Sequence, residues 1–375
     1  MDKNQFNKSQ YRESLQETVK TVDSLRRDQD FHMDISLAEF VQKKHGVSMD
    51  SYYADLGINP SVDTIQNIFT MPDYSVRWLV PEIIRDALRL GLRKNPIYKS
   101  IIAAEETIKN PQVVLPHLNM SDAAPHYVGE AETIPLGNIS YGQKTMRIRK
   151  MGRGIQVPYE VVNYVSINVV SIFLQDFGVK LGQAIDSLMI DVLINGEQAD
   201  GSESAPVIGV ATANTLTYSD LLKIWVRMSR IGRVPNTIIG GENAALDTLN
   251  LNEFKTNTMG GTAAAGVPSS NKIDLKTPIP NKSNYFIHGA VPANQQIIVD
   301  PSGAIIKYNA QPLLVESDKI ISNQTMETYA SLTTGFGILY RDARVILDKS
   351  KAFAYYGFPS YMDVDTLENV EISEL

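Results

Sequence analysis

Cysteine is missing from all 375 residues, which removes disulfide frameworks, thiolate metal sites, redox motifs and cysteine nucleophiles together. No run reaches the roughly 18 apolar residues of a membrane-spanning helix. The opening stretch MDKNQFNKSQYRESLQETVK is charged where a signal peptide would be apolar, so a soluble cytosolic product is expected. Of the five histidines, His32, His45, His117, His126 and His288, no two lie within metal-ligand spacing. A Walker-type phosphate loop, a dinucleotide fingerprint and a G-x-S-x-G elbow are also absent. Gly240-Gly241 and Gly260-Gly261 read as turns.

Carboxylate pairs do occur, as in any acidic protein: Glu105-Glu106, Glu130 with Glu132, and Asp186 with Asp191. Glu130 and Glu132 would share one face of a strand, as a glycosidase acid and nucleophile can, although solvated or ion-paired glutamates are far commoner. Asp186 and Asp191 are expected to meet another chain or solvent, and Trp78 and Trp225 to anchor a core or interface.

What is present is an ordinary folded composition, 43% hydrophobic and 21% charged with 24 Gly and 18 Pro, long enough for two to three units. The formal charge of -7, from 35 basic and 42 acidic residues, argues against a main role in gripping nucleic acid. Charge is unevenly placed. Residues 133–159 contain no Asp or Glu but hold Lys144, Arg147, Arg149, Lys150 and Arg153. Residues 361–375 contain no Lys or Arg but hold Asp363, Asp365, Glu368, Glu371 and Glu374. Such stretches are either solvated faces or complementary contacts between subunits.

Leu15, Val19, Val22 and Leu25, then Leu37, Phe40 and Val41, mark short helices on a polar arm that packs on another subunit, packs on the body or is removed. From Val80 to Asn95-Pro96 a Pro-started amphipathic helix carries Arg85, Arg89 and Arg93 in one row. That row is either a wet face or a stripe meeting an acidic neighbour or packaged nucleic acid. Extended runs near 126–134 and 145–157 flank a turn region over 135–142, which describes a long hairpin too thin to stand alone.

Val162, Val165, Val169, Phe173, Phe177, Leu181, Ala184, Leu188 and Val192 then recur near the helical period, predicting a rod from about 167 to 193 closed by Asn195-Gly196. An α+β unit follows, with helices at 218–232 and 241–251 and strands at 236–240, 285–289 and 296–299, around a low-complexity loop at 259–270. A Thr- and Tyr-rich strand over 322–340 returns to the first unit.

This order resembles the HK97-fold major capsid protein of tailed bacteriophages, locally in VPEIIRDALRLGLRKNPI, in IQVPYEVVNYVSINVVSIFLQDFGVKLGQAIDSLMIDVLING, and in VIGV and DARVILD. The resemblance spans about three quarters of the chain. It implies an α+β fold with an N-arm at 1–75, a peripheral domain opening at 76–122, and an E-loop hairpin at 123–158 lying on a neighbouring subunit. It further implies a spine helix at 159–203, an axial domain at 204–315, and a return to the peripheral domain at 316–358. The acidic tail at 359–375 has no place in the pattern.

The implied function is shell building in hexamers and pentamers around double-stranded DNA, without catalysis, cofactor, metal, membrane or sequence-specific DNA contact. The implied location is the virion, after assembly in the host cytoplasm, and the implied further partners are scaffolding, portal and decoration or minor capsid proteins. Lys144, Arg147, Arg149, Lys150 and Arg153 are the expected contacts to acidic surface next door, with Arg85, Arg89 and Arg93 forming a second contact. Lys144 lies near the hairpin tip, but no recipient asparagine is assignable for crosslinking. An encapsulin-type nanocompartment subunit and, remotely, an α+β hydrolase are the alternatives.

Overall fold

The computed structural model describes residues 15, 17–22, 24–25, 36–71, 76, 79–94, 96–108, 112–118, 139–197, 203–251, 272–273, 283–320, 322 and 324–358. In chain order the helices are α1 (Leu37–His45), α2 (Met49–Asp55), α3 (Ile65–Thr70), α4 (Leu79–Lys94), α5 (Tyr159–Tyr164), α6 (Ile167–Asn195), α7 (Tyr218–Arg230) and α8 (Glu242–Asn250). The strands are β1 (Ile102–Thr107), β2 (Gln112–Leu118), β3 (Ile139–Arg147), β4 (Arg149–Pro158), β5 (Val207–Val210), β6 (Thr237–Gly240), β7 (Lys272–Ile273), β8 (Asn284–Ile287), β9 (Gln295–Val299), β10 (Ile305–Ile320), β11 (Thr325–Ile338), β12 (Arg344–Ala352) and β13 (Tyr355–Tyr356). Two units partition the chain. Unit 1 holds Met1–Pro96, Arg149–Ala184 and Asn309–Thr334, and unit 2 holds Ile97–Ile148, Ile185–Tyr308 and Gly335–Leu375.

Unit 1 begins with short helices that are capped locally. Ser36 Oγ accepts from Glu39 N at 2.9 Å while Glu39 Oε2 accepts from Ser36 N at 3.1 Å, a reciprocal pair that starts α1. Gly46, at φ 70°, closes it. Ser48 and Thr64 cap α2 and α3 by accepting from Ser51 N and Asn67 N. Leu15, Val19 and Val22, from helical residues ahead of α1, are buried with Leu37, Val41, Tyr52, Ile68, Leu88 and Leu174 in one cluster. In the single chain these arm residues pack on the body. Each such aliphatic side chain contributes about 1.5–3 kcal/mol by leaving water.

The helix α4 crosses α6 backbone to backbone. A Cβ added at Gly91 would lie 2.0 Å from Gln175 O, and one at Gly178 would lie 2.2 Å from Leu88 O. Only hydrogen at these two positions allows the approach. The crossing also decides which side of α6 is buried in unit 1: Ile167, Val170, Leu174 and Gly178, with Phe177 half-buried, instead of the predicted row through Val169 and Phe173. This half of α6 is apolar nearly all round, so periodicity alone could not choose a face. The 29-residue helix measures about 44 Å and ends at Gly196, at φ 77°, whose N–H reaches Val192 O at 2.9 Å. Among the described residues no helix is long and apolar enough to cross a membrane.

One sheet has the order β1-β10-β11-β4, so β4 is an edge strand. It pairs antiparallel with β11 through ten residues, from Thr325 opposite Pro158 to Thr334 opposite Arg149. This corrects the expected hairpin. The 145–157 run is split at Ile148, its second half belonging to β11, and Ile139–Gly142 is strand and not turn. The partner of β3 is β2, in a separate two-stranded ribbon. Pro116 hid that strand in the sequence, because Pro is tolerated in a ladder only at an edge or irregularity, and the register indeed shifts between Leu115 and Pro116. The run at 126–134 lies outside the described residues, as do Glu130, Glu132, Trp78 and the loop at 259–270.

Unit 2 contains a seven-stranded sheet in the order β13-β5-β12-β9-β6-β8-β7, with β12 parallel to β5 and β6 parallel to β8. Helices α7 and α8 pack on it through Leu221, Ile224, Trp225, Met228 and Ala245 against Ile208, Ile238, Tyr285, Ile298 and Leu347. Trp225 is a core anchor, as expected. β12 and β13 join this sheet beside β5 and not the sheet of β11, because β5 offers β12 a parallel edge of matching apolar character. Arg344 is fully buried. Its Nε donates to Leu193 O at 2.7 Å and its guanidinium also reaches Glu203 O, which satisfies a carbonyl in the last turn of α6.

Candidate functional site

The basic stretch is divided between two sheets. Lys144 stands opposite Leu115 and Arg147 opposite Gln112 in the ribbon of β2 and β3. Arg149, Lys150 and Arg153 stand opposite Thr334, Thr333 and Ala330 on β4, and all three are exposed. Among the described residues β4 pairs on one side only, and charged side chains on such an edge oppose indiscriminate strand pairing. Gly152 and Gly154 let β11 approach closely here: a Cβ at Gly152 would lie 2.9 Å from Ala330 O, and one at Gly154 2.6 Å from the Tyr329 ring.

The arginine row of α4 is placed differently. Arg85 and Arg89 are buried, which overturns the wet-face reading. Arg85 Nη1 pairs with Glu82 Oε1 at 2.6 Å, so its acidic partner lies in the same helix. Arg93 is exposed and pairs with Glu39 at 3.2 Å. The Ser36 N–H and then Arg93 and Arg89 hold the Glu39 carboxyl below its ordinary range, against the opposing effect of burial. A cavity of about 390 Å³ opens here, lined by Glu39, Tyr53, Asp86, Arg89, Arg93 and Gln175 among others. Burial, reinforced by Asp86 and Asp50, raises the Tyr53 hydroxyl pKa, so the phenol stays neutral.

Asp186 departs from its expected exposure. It is buried on α6 and accepts from Ile97 N at 3.2 Å and Tyr98 N at 2.9 Å. These amides open the single turn Tyr98–Ser100 that leads into β1. Burial pushes its carboxyl up to about 6, against the two N–H donors and Lys307. Lys307 itself lies 4.4 Å from the Tyr98 ring centroid and 2.7 Å from Glu105. Asp191 is exposed and accepts from Asn195 Nδ2 at 2.8 Å. Elsewhere on α6, Ile172 and Phe173 are 63% and 70% exposed, a pair of large apolar side chains left in water by the single chain. Among the described residues no cluster of three His, Asp or Glu side chains is arranged to hold a metal.

No protein-family model and no curated protein matches the sequence. Solved structures do match. The chain is similar to the virus-like particle from Pyrococcus furiosus, with 13% identity and a TM-score of 0.46 over 71% of this chain and 98% of that one. It is similar to the holo-SrpI encapsulin complex from Synechococcus elongatus, at 11% identity, TM-score 0.46, and coverage of 70% and 91%. It is also similar to the capsid of the cyanophage P-SCSP1u, at 12% identity, TM-score 0.47, and coverage of 68% and 88%. The likeness is to shell proteins. A capsid of a GTA particle and structures of Gordonia phage Cozz and Mycobacterium phage Adephagia match as well.

The residues missed by sequence reasoning are those whose role is a single distant contact. Asp186 gave one signal, an acid inside an otherwise apolar helix, and Arg344 gave another, a cation opening the run Val345-Ile346-Leu347. Such positions are paired when buried. Gly91 and Gly178 are interior helix glycines, whose cost of about 1 kcal/mol against Ala asks for a packing reason.

Proposed function

We propose that the chain is the major capsid subunit of a tailed phage, building a shell of hexamers and pentamers around double-stranded DNA. The observation that carries the reading is the order of elements. Capped N-terminal helices, a two-stranded ribbon, a 29-residue helix closed by Asn195-Gly196, an α/β unit and a 14-residue returning strand follow one another as in the family that the sequence resembles. The exposed Ile172 and Phe173 and the edge of β4, unpaired among the described residues, supply surface that a solitary protein would cover. In this reading Lys144, Arg147, Arg149, Lys150 and Arg153 meet acidic surface of a neighbouring subunit, and Arg93 adds an exposed cation on α4. Arg85 and Arg89 serve inside unit 1.

The test is electron microscopy of the protein expressed alone, with nucleic-acid absorbance read on the same particles. Closed shells, tubes or free hexamers are the expected products. Closed shells that enclose host enzymes and no nucleic acid would assign the chain to the nanocompartment class, and a chain that stays monomeric in cells and after purification, even with phage assembly proteins co-expressed, overturns the shell reading.

A further inference from the structure

We infer that β1 of one subunit adds to the outer edge of β4 in a second copy of the chain, so that the four-stranded sheet runs on from copy to copy. The two larger sheets of the fold differ at their borders. The seven-stranded sheet ends in β7 and β13, of 2 residues each, and edges so short offer little backbone to another strand. The four-stranded sheet ends in β1 and β4, which are 6 and 10 residues long. Among the described residues neither has a strand on its outer side, so each presents a row of backbone N–H and C=O groups.

β1 is covered on neither face. Its sequence IAAEET leaves every residue after Ile102 exposed, whereas a strand in such a sheet ordinarily packs one side on a core. Ala103 and Ala104 add no bulk that would hold another backbone away. Glu105 is engaged by Lys307 at 2.7 Å, while Glu106 is exposed and has no ion-pair partner among the described residues. β4 has the opposite sign. Its sequence RKMGRGIQVP contains three cations and no acid, and Lys150 and Arg153 are exposed, likewise without an ion pair among the described residues.

The charges sort the possible pairings. Two β4 edges would set cation against cation and two β1 edges acid against acid, and like charges directly opposite are destabilising. Only β1 against β4 places opposite charges across the new ladder. Within one chain the two strands cannot meet, because β10 and β11 stand between them in the sheet, so the complementary edge is that of another copy. Main-chain hydrogen bonds then supply the attraction, and Glu106 with Lys150 and Arg153 selects the partner. Such a contact joins unlike patches, and it links copies head to tail into a ring where the rotation closes. It rests on the shell reading, to which it adds the identity of the acidic surface that the basic strand meets.

The unmodified protein supplies the first test. Isotope-labelled and unlabelled subunits are mixed, assembled, treated with a zero-length carbodiimide that joins contacting carboxylates and amines, and digested for mass spectrometry. Glu106 joined to Lys150 in peptides with one labelled and one unlabelled half is the expected product of assemblies, lost when the subunits are dissociated first. Its absence from intact assemblies overturns the contact. Charge exchange is the second test. Glu106→Lys alone, and Lys150→Glu with Arg153→Glu, should each abolish particles in the electron microscope while circular dichroism shows a folded subunit, and the three substitutions together should restore them. Where a reversal prevents folding, the cross-link in unmodified protein decides. Particles unaffected by either reversal, or two losses that the combination does not rescue, reject the pairing of these edges and leave the shell reading standing. Wild-type protein that forms no assembly under any condition fails the shell reading and the contact with it.

Discussion

Asp186 shows how one side chain couples chemistry to the fold. Its carboxyl is raised from 3.8 to about 6, chiefly by burial. The folded protein therefore binds a proton that the unfolded chain has released between these values. The contribution is most favourable below pH 4 and is lost as pH rises through 6. The difference is of the order of 2–3 kcal/mol. Asp186→Asn removes this titration, so urea unfolding of the two proteins at pH 4 and pH 7 should show the stability gap shifting by about that amount in favour of the variant at pH 7. A gap that does not move with pH would place the carboxylate in water. The helix pattern announces that an acid occupies this position, but only tertiary packing makes Ile97 N and Tyr98 N its partners.

At the scale of elements, α4 and α6 depend on two glycines. Gly178→Ala gains about 1 kcal/mol of helix propensity, but its Cβ would sit 2.2 Å from Leu88 O and force backbone apart. Overpacking of this kind costs typically 1–3 kcal/mol. The net expectation is a lower Tm by calorimetry, and an unchanged or higher Tm would deny the close crossing. The basic stretch makes the complementary case, in which the proposed reading has charge serve assembly and not folding. Arg147→Glu, Arg149→Glu and Lys150→Glu together should abolish particles in the microscope while circular dichroism and the subunit's melting stay as they were. Normal particles from this variant remove the proposed contact. The division of the stretch between β3 and β4 was illegible in the sequence, because continuous alternation over 145–157 gives no sign that a strand changes partners at Ile148.

For the whole molecule, the net charge of -7 bears on the proposed enclosure of DNA. A container that gripped duplex DNA would stall loading and release, since each phosphate contact ties affinity to counterion release. Purified subunit at about 0.15 M salt should leave duplex DNA unshifted in a gel, and firm retention would contradict the container role.

The amino-acid pattern by itself determined the periodic and punctuated elements: the Pro-started α4, the rod α6 with its Asn195-Gly196 stop, and the alternating helices and strands of unit 2. Those signals are local, set by spacing, caps and turn residues within a few positions of one another. The tertiary structure decided which face of α6 is buried, that Arg85 and Arg89 lie inside, that β2 pairs with β3, and that β12 joins β5. These outcomes depend on the shape and hydrogen-bonding edge offered by residues far along the chain, and a helix apolar on most sides or a strand with two eligible partners carries no local mark of the choice.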